Sequence, residues 1–200
     1  LAGLSVTPPA DSDGDFDLTV TATSTEADGD TATTSSTLNV SVTGVADAPT
    51  LGTSDASGAE DTAIALDVSA ALTDTDGSET LSVTISGVPD GASLSAGTDN
   101  GDGSWSLSPA ELSGLTVTPP TDSDGDFDLQ VTATSTEADG DTATTTSTLN
   151  VSVTGVADAP TVSVSDAAGA EDTAIALDVS SALTDTDGSE TLSVTISGVP

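Results

Sequence analysis

Residues 1–89 return without a gap as residues 112–200, with about nine in ten positions identical. A repeat of about 111 residues has the size of one domain, so any fold of this chain must serve the same stretch twice. Pro8-Pro9 comes back as Pro119-Pro120, Asp13-Gly14-Asp15-Phe16 as Asp124-Gly125-Asp126-Phe127, and Pro49 as Pro160. The expected organisation is the C-terminal part of one repeat over 1–48, one complete repeat over 49–159, and the N-terminal part of the next over 160–200. Near-identical neighbours suit a long array; a unique active site would not need copying in this way. The chain starts at Leu1 without Met, and half a repeat cannot bury a core alone. The expectation is a window on a longer ordered polymer, or ends completed by another chain.

Within the complete repeat, Ile64-Ala65-Leu66-Asp67-Val68 and Thr80-Leu81-Ser82-Val83-Thr84-Ile85 alternate apolar and polar residues, as half-buried strands do. Gly87-Val88-Pro89-Asp90-Gly91 stops the second with turn residues, and Asp99-Asn100-Gly101-Asp102-Gly103 is a hairpin signal before Trp105 and Leu107. Ser108-Pro109-Ala110-Glu111-Leu112 offers an N-cap, a proline and a first-turn acid, enough for one turn of helix. Leu115 and Val117 begin another strand. Phe127, Leu129, Val131 and Ala133 line one face of the next, and Leu149, Val151 and Val153 close the repeat. Seven or eight short strands with frequent turns predict an all-β fold, an antiparallel β-sandwich. One-sided alternation argues against a parallel sheet covered on both faces. Trp105 and Phe127 read as core aromatics.

The charge balance sets the chemistry. The chain carries 34 Asp and Glu, no Lys, Arg or His, and a net charge of -34. Two carboxylates about 4 Å apart repel by roughly 4 kcal/mol at an effective dielectric of 20. No side chain can neutralise them, so gathered acids must recruit cations or stay widely solvated. Nucleic acid and anionic membrane surfaces are not partners for such a field, and no apolar run predicts membrane insertion. Cysteine is absent, so no disulfide is available.

Acids gather in four loops per repeat: Glu60-Asp61; Asp74, Asp76 and Glu79; Asp122, Asp124 and Asp126; and Glu137, Asp139 and Asp141; Asp99 and Asp102 read as hairpin residues and Glu111 as a helix-turn acid. Copies of these acids recur at Asp11, Asp13 and Asp15, at Glu171 and Asp172, and at Asp185, Asp187 and Glu190, while Asp47 and Asp158 sit between repeats. Calcium takes roughly 6–8 oxygen ligands in flexible geometry. Alternate acids with a glycine for the sharp turn, as in Asp74-x-Asp76-Gly77-x-Glu79 and Asp122-x-Asp124-Gly125-Asp126, can aim several carboxylates inward. Neither matches a full EF-hand loop, and without Cys or His softer metals are disfavoured. Calcium is the expected cofactor.

The order of these motifs over the whole chain resembles the cadherin-like, immunoglobulin-like tandem repeats of large bacterial type I-secreted RTX adhesins. Gly44-Val45-Ala46-Asp47-Ala48-Pro49 looks like the Asp-Ala-Pro linker that ends such repeats, and Glu60 like their first-strand glutamate. Asp74-Thr75-Asp76 resembles the Asp-x-Asp loop. Asp122-Ser123-Asp124-Gly125-Asp126 lies where the family has Asp-Arg-Glu, here without the arginine or the glutamate. The resemblance implies Greek-key domains set in an extended rod, with calcium between them or at their ends, on the bacterial cell surface. For the complete junction it points to Glu60, Asp122, Asp124, Asp158, Asp185 and Asp187. The implied partners are neighbouring repeats of the same long chain or another copy, and the implied setting is cell adhesion, a filament or a biofilm.

Two other readings compete. A glycan- or protein-binding module would want aromatic platforms, and two Phe with one Trp offer few. Acids spread simply for solubility would bind no specific calcium. An enzyme is not expected. The only general acids and bases would be carboxylates, and these sit in Gly/Ser/Thr loops, away from the apolar cleft that raises a catalytic pKa.

Overall fold

A computed structural model describes residues 2–185 and 187–199, and it is all-β apart from one 3-10 turn. The first segment forms a hairpin of β1 (Phe16–Thr25) and β2 (Thr31–Val40), in register from Phe16↔Val40 to Thr25↔Thr31. The central unit runs through β3 (Thr50–Ser54), β4 (Ala56–Ala59), β5 (Ile64–Ala65), β6 (Asp67–Ala71), β7 (Thr80–Ser86) and β8 (Ser93–Leu94). It continues through β9 (Thr98–Asp99), β10 (Ser104–Leu107), the 3-10 turn Pro109–Leu112, β11 (Thr116–Thr118), β12 (Phe127–Thr136) and β13 (Thr142–Thr154). In the last segment β14 (Thr161–Ser165) pairs with β15 (Asp178–Ala182). No helix among the described residues is long and apolar enough to cross a membrane.

The central strands form a six-stranded sheet in the order β4-β13-β12-β7-β10-β9, a three-stranded sheet β5-β11-β8 and the pair β3-β6. Leu129, Val131 and Ala133 on β12, Val83 and Ile85 on β7, Val68 on β6 and Val117 on β11 all enter one core. Several sheets closing on one core are consistent with a β-sandwich. Burying each of the Val, Leu and Ile side chains contributes about 1.5–3 kcal/mol. Alternation works as read: on β12 the odd positions from Leu129 to Ala133 are buried, while Asp128 and Gln130 face water.

Three expectations need correction. Not every pairing is antiparallel: β4 runs parallel to β13, from Ala56↔Val151 to Ala59↔Thr154. β3 lies antiparallel beside β6. After Asp55 the chain crosses to the other sheet still travelling the same way, which sets β4 alongside the last strand. The central unit is also cut into more pieces than seven or eight. Between β5 and β6, for example, Leu66 leaves the ladder and donates its N–H to the Leu115 carbonyl at 2.9 Å. Finally, Trp105 and Phe127 are only half-buried and pack against the outside of the core. Trp105 sits near a sheet edge, one strand in, where only the two-residue β9 covers its flank.

Candidate metal centre

The parallel pairing of β4 with β13 places the first acids. Glu60 extends that ladder by donating its N–H to the Thr154 carbonyl at 3.0 Å, which brings its side chain beside the outgoing linker. Its Oε1 accepts the Val156 N–H at 2.5 Å. Its Oε2 is buried and has no hydrogen-bond partner, on a residue only 2% exposed. Leaving a buried carboxylate oxygen unsatisfied is costly.

Glu60 is not alone there. Glu60, Asp185 and Asp187 each present an oxygen within 4.8 Å of the others, and so do Asp61, Asp122 and Asp158. The two threesomes take side chains from the central unit, from the linker and from the following segment. Asp61 and Asp122 both hold φ near +54°, a left-handed conformation that Asp tolerates. The Asp122 N–H donates to Asp61 Oδ1 at 3.2 Å, and the Thr62 hydroxyl closes the Asp61 turn on the Ala59 carbonyl at 2.8 Å. On the far side, Asp187 N–H donates to Asp185 Oδ1 and Ser189 N–H to Asp187 Oδ1, two local turns that fix both carboxylates. The Asp158 N–H donates to Glu190 Oε1 at 2.6 Å and so ties the linker to the following loop.

Electrostatics mark the same place. Desolvation, with Asp61, Asp158, Asp185 and Asp187 close by, pushes the Asp122 carboxyl above its ordinary range. The Ser189 hydroxyl and N–H hold Asp187 below it. With no Lys, Arg or His in the chain, the cluster has no side-chain counter-charge. All its donors are oxygens, which suits a hard cation.

The first junction is built differently. Asp47 N–H donates to Glu79 Oε1 at 2.7 Å, as Asp158 does to Glu190, and Glu79 Oε2 is likewise buried without a partner. Here the β12–β13 hairpin end closes on the linker: the Ala46 N–H donates to Asp141 Oδ2 at 3.1 Å. The Glu137 carboxylate lies so near Gly44 that a Cβ there would meet it at 2.8 Å. Burial raises the Glu137 pKa, the Ser78 hydroxyl opposes this, and Glu79 and Asp13 add to it. Asp11, Asp13, Asp47, Asp74 and Glu137 line one cleft. Asp76 sits below the ordinary range through the Ser78 hydroxyl and N–H. No carboxylate threesome is found at this junction among the described residues.

Five of the six acids expected at the complete junction therefore come together. The sixth, Asp124, carries its side chain outside both threesomes, although its N–H reaches Asp187 Oδ2 at 3.5 Å. Asp61 takes a place at the junction that the expected set of six did not give it. Asp126 and Asp15 tie strands instead, accepting the N–H of Val153 and of Val42, each at 2.8 Å. Asp139 accepts the Asp141 N–H inside its own turn. Glu171 and Asp172, copies of Glu60 and Asp61, stand exposed and join no such group among the described residues. No protein-family model matches this chain, and no curated protein matches its sequence.

Proposed function

We propose that this chain is a calcium-stiffened structural repeat of a secreted bacterial surface adhesin or filament. Its Greek-key domains would lie end to end in a rod that projects an adhesive region and supports adhesion or biofilm formation. The observation that carries this reading is the buried, unpartnered Oε2 of Glu60 beside a carboxylate group spanning two repeats in a chain without cations. Asp61, Asp122 and Asp158 form a second position that would hold the linker to the central unit, while an ion among Glu60, Asp185 and Asp187 would tie the central unit to its neighbour. The resemblance to tandem repeats of type I-secreted adhesins supplies the setting. The carboxylate geometry supplies the chemistry, and no role as an enzyme is proposed.

A cation that binds the folded state adds RT ln(1 + [L]/Kd) to stability. Melting is to be compared in calcium, in chelator, and in chelator with NaCl at matched ionic strength. Calcium is expected to raise the melting temperature well above both other conditions. Equal melting in calcium and in matched NaCl would return the acids to plain solvation.

A further inference from the structure

A cleft within the central unit is built around the chain's one tryptophan. Trp105 on β10 stands opposite Ile85 of β7 on one side and opposite Asp99 of β9 on the other. Opposite residues share a face, with Cβ atoms about 4.5–5.5 Å apart. The half-buried indole therefore leans on the core and has the Asp99 side chain at its outer flank. The turn after β7 brings Asp90 to the same place, and Val88, Asp90, Asp99 and Trp105 line a space of about 140 Å³. Its walls are fixed by backbone: the Val88 N–H donates to the Gly103 carbonyl at 3.1 Å, and the Gly101 N–H to Asp99 Oδ1 at 2.8 Å. Gly103 holds φ +78°, and a Cβ there would meet the Val88 carbonyl at 3.2 Å, so the two loops approach closely only with glycine.

Size and charge narrow the occupant. Pockets for drug-sized ligands run to about 300–1,000 Å³, so this one has room for the head of a single side chain. Calcium wants roughly 6–8 oxygens, and neither Asp90 nor Asp99 belongs to a carboxylate threesome among the described residues. Both carboxylates are exposed, and the chain has no Lys, Arg or His to meet them. A guanidinium satisfies every wall. It stacks flat on an indole, forks its N–H groups onto carboxylates, and sheds water more readily than an ammonium does.

We propose that this cleft receives an arginine side chain of a partner protein, its guanidinium against the Trp105 indole and its N–H groups on Asp90 and Asp99. The chain has no arginine, so a second copy of this sequence cannot supply it. Nothing in this site depends on calcium at the junctions.

Trp105 is the only tryptophan and the chain has no tyrosine, so intrinsic fluorescence reports on this cleft alone. Short blocked glycine peptides carrying one Arg, one Lys or one citrulline are titrated at a matched ionic strength of about 0.15 M, where the screening length is roughly 8 Å. The Arg peptide is expected to change the emission saturably, the Lys peptide several-fold more weakly, and the neutral citrulline peptide not at all. Asp90→Asn with Asp99→Asn keeps an oxygen acceptor for the Gly101 N–H and should weaken the Arg response at least tenfold. Asp28→Asn with Asp30→Asn, which removes the same charge at the β1–β2 turn, should leave it unchanged. An Arg response that never saturates, an equal response to Lys or citrulline, or equal losses in the two double variants would each overturn the proposal.

Discussion

The two junctions of this molecule share a linker sequence and differ in which acids surround it. At the first, Glu79, Glu137 and Asp141 approach from the following unit, Glu79 and Asp141 holding backbone N–H groups of the linker and Glu137 lying against Gly44. At the second, Glu60, Asp61 and Asp122 approach from the preceding unit and meet Asp158, Asp185 and Asp187. Only the second gathers carboxylates into threesomes among the described residues. The same Gly-Val-Ala-Asp-Ala-Pro stretch thus sits in both surroundings, and the threesomes combine acids that follow the preceding unit's β4 with the linker Asp158 and the next segment's Asp185 and Asp187. A junction flanked by two whole repeats would hold both sets of acids.

The largest expected effect concerns such a whole junction. In a chain of several complete repeats, strands of about ten residues at roughly 3.3 Å each would advance the rod by about 35–45 Å per repeat. Asp185→Asn together with Asp187→Asn should remove the tie between units, and solution scattering in calcium should show a shorter maximum dimension. Domain melting should change much less. A double variant as long and stiff as its parent would assign the stiffness to direct contact between units.

A smaller effect separates the two linkers by a single methyl group. Gly44→Ala places a Cβ 2.8 Å from the Glu137 carboxyl, while Gly155→Ala meets Asp124 at an ordinary 3.5 Å. The first should cost about 1 kcal/mol, on the scale of a mild overpacking, and the second close to nothing. Equal melting of the two variants would mean that the Glu137 side chain swings away freely.

The smallest effect is in pH. Asp122 and Glu137 have folded-state pKa values raised above their ordinary ones, chiefly by desolvation. Through the window between the ordinary and the raised value, the folded state holds more protons than the unfolded one, so stability falls as pH rises. In chelator, melting should therefore rise modestly as pH is lowered from neutral toward that window. Asp76 and Asp187, held low by serine donors, act oppositely and lose their contribution as pH falls through their folded pKa. Asp122→Asn with Glu137→Gln should flatten the rise; a rise that persists would place its source elsewhere.

Much of the central unit is legible in its residues. The period-two run from Phe127 to Ala133, the hairpin at Asp99–Gly103 and the turn at Pro109–Leu112 all rest on local rules, and all stand in the structure. The parallel pairing of β4 was not legible. Ala56-Ser57-Gly58-Ala59 has almost no apolar contrast to mark a face, and its partner β13 lies far along the chain. That pairing places Glu60, so the burial of its side chain was hidden with it. Asp61 was obscured for a related reason: neighbours in an extended chain point to opposite sides. Its left-handed turn brings it to the same junction as Glu60, with Asp122 and Asp158. Trp105 reads as core by type, but only the short β9 lies beyond its strand.

Glu60 and Glu171 stand at the same point of the repeat, one buried in the cluster and one exposed. Calorimetric titration with calcium of the parent, of Glu60→Gln and of Glu171→Gln compares them directly. Glu60→Gln is expected to weaken calcium binding at least tenfold, while Glu171→Gln should bind as the parent does. Equal losses in the two variants, or none in Glu60→Gln, would contradict a cation site built on the buried glutamate.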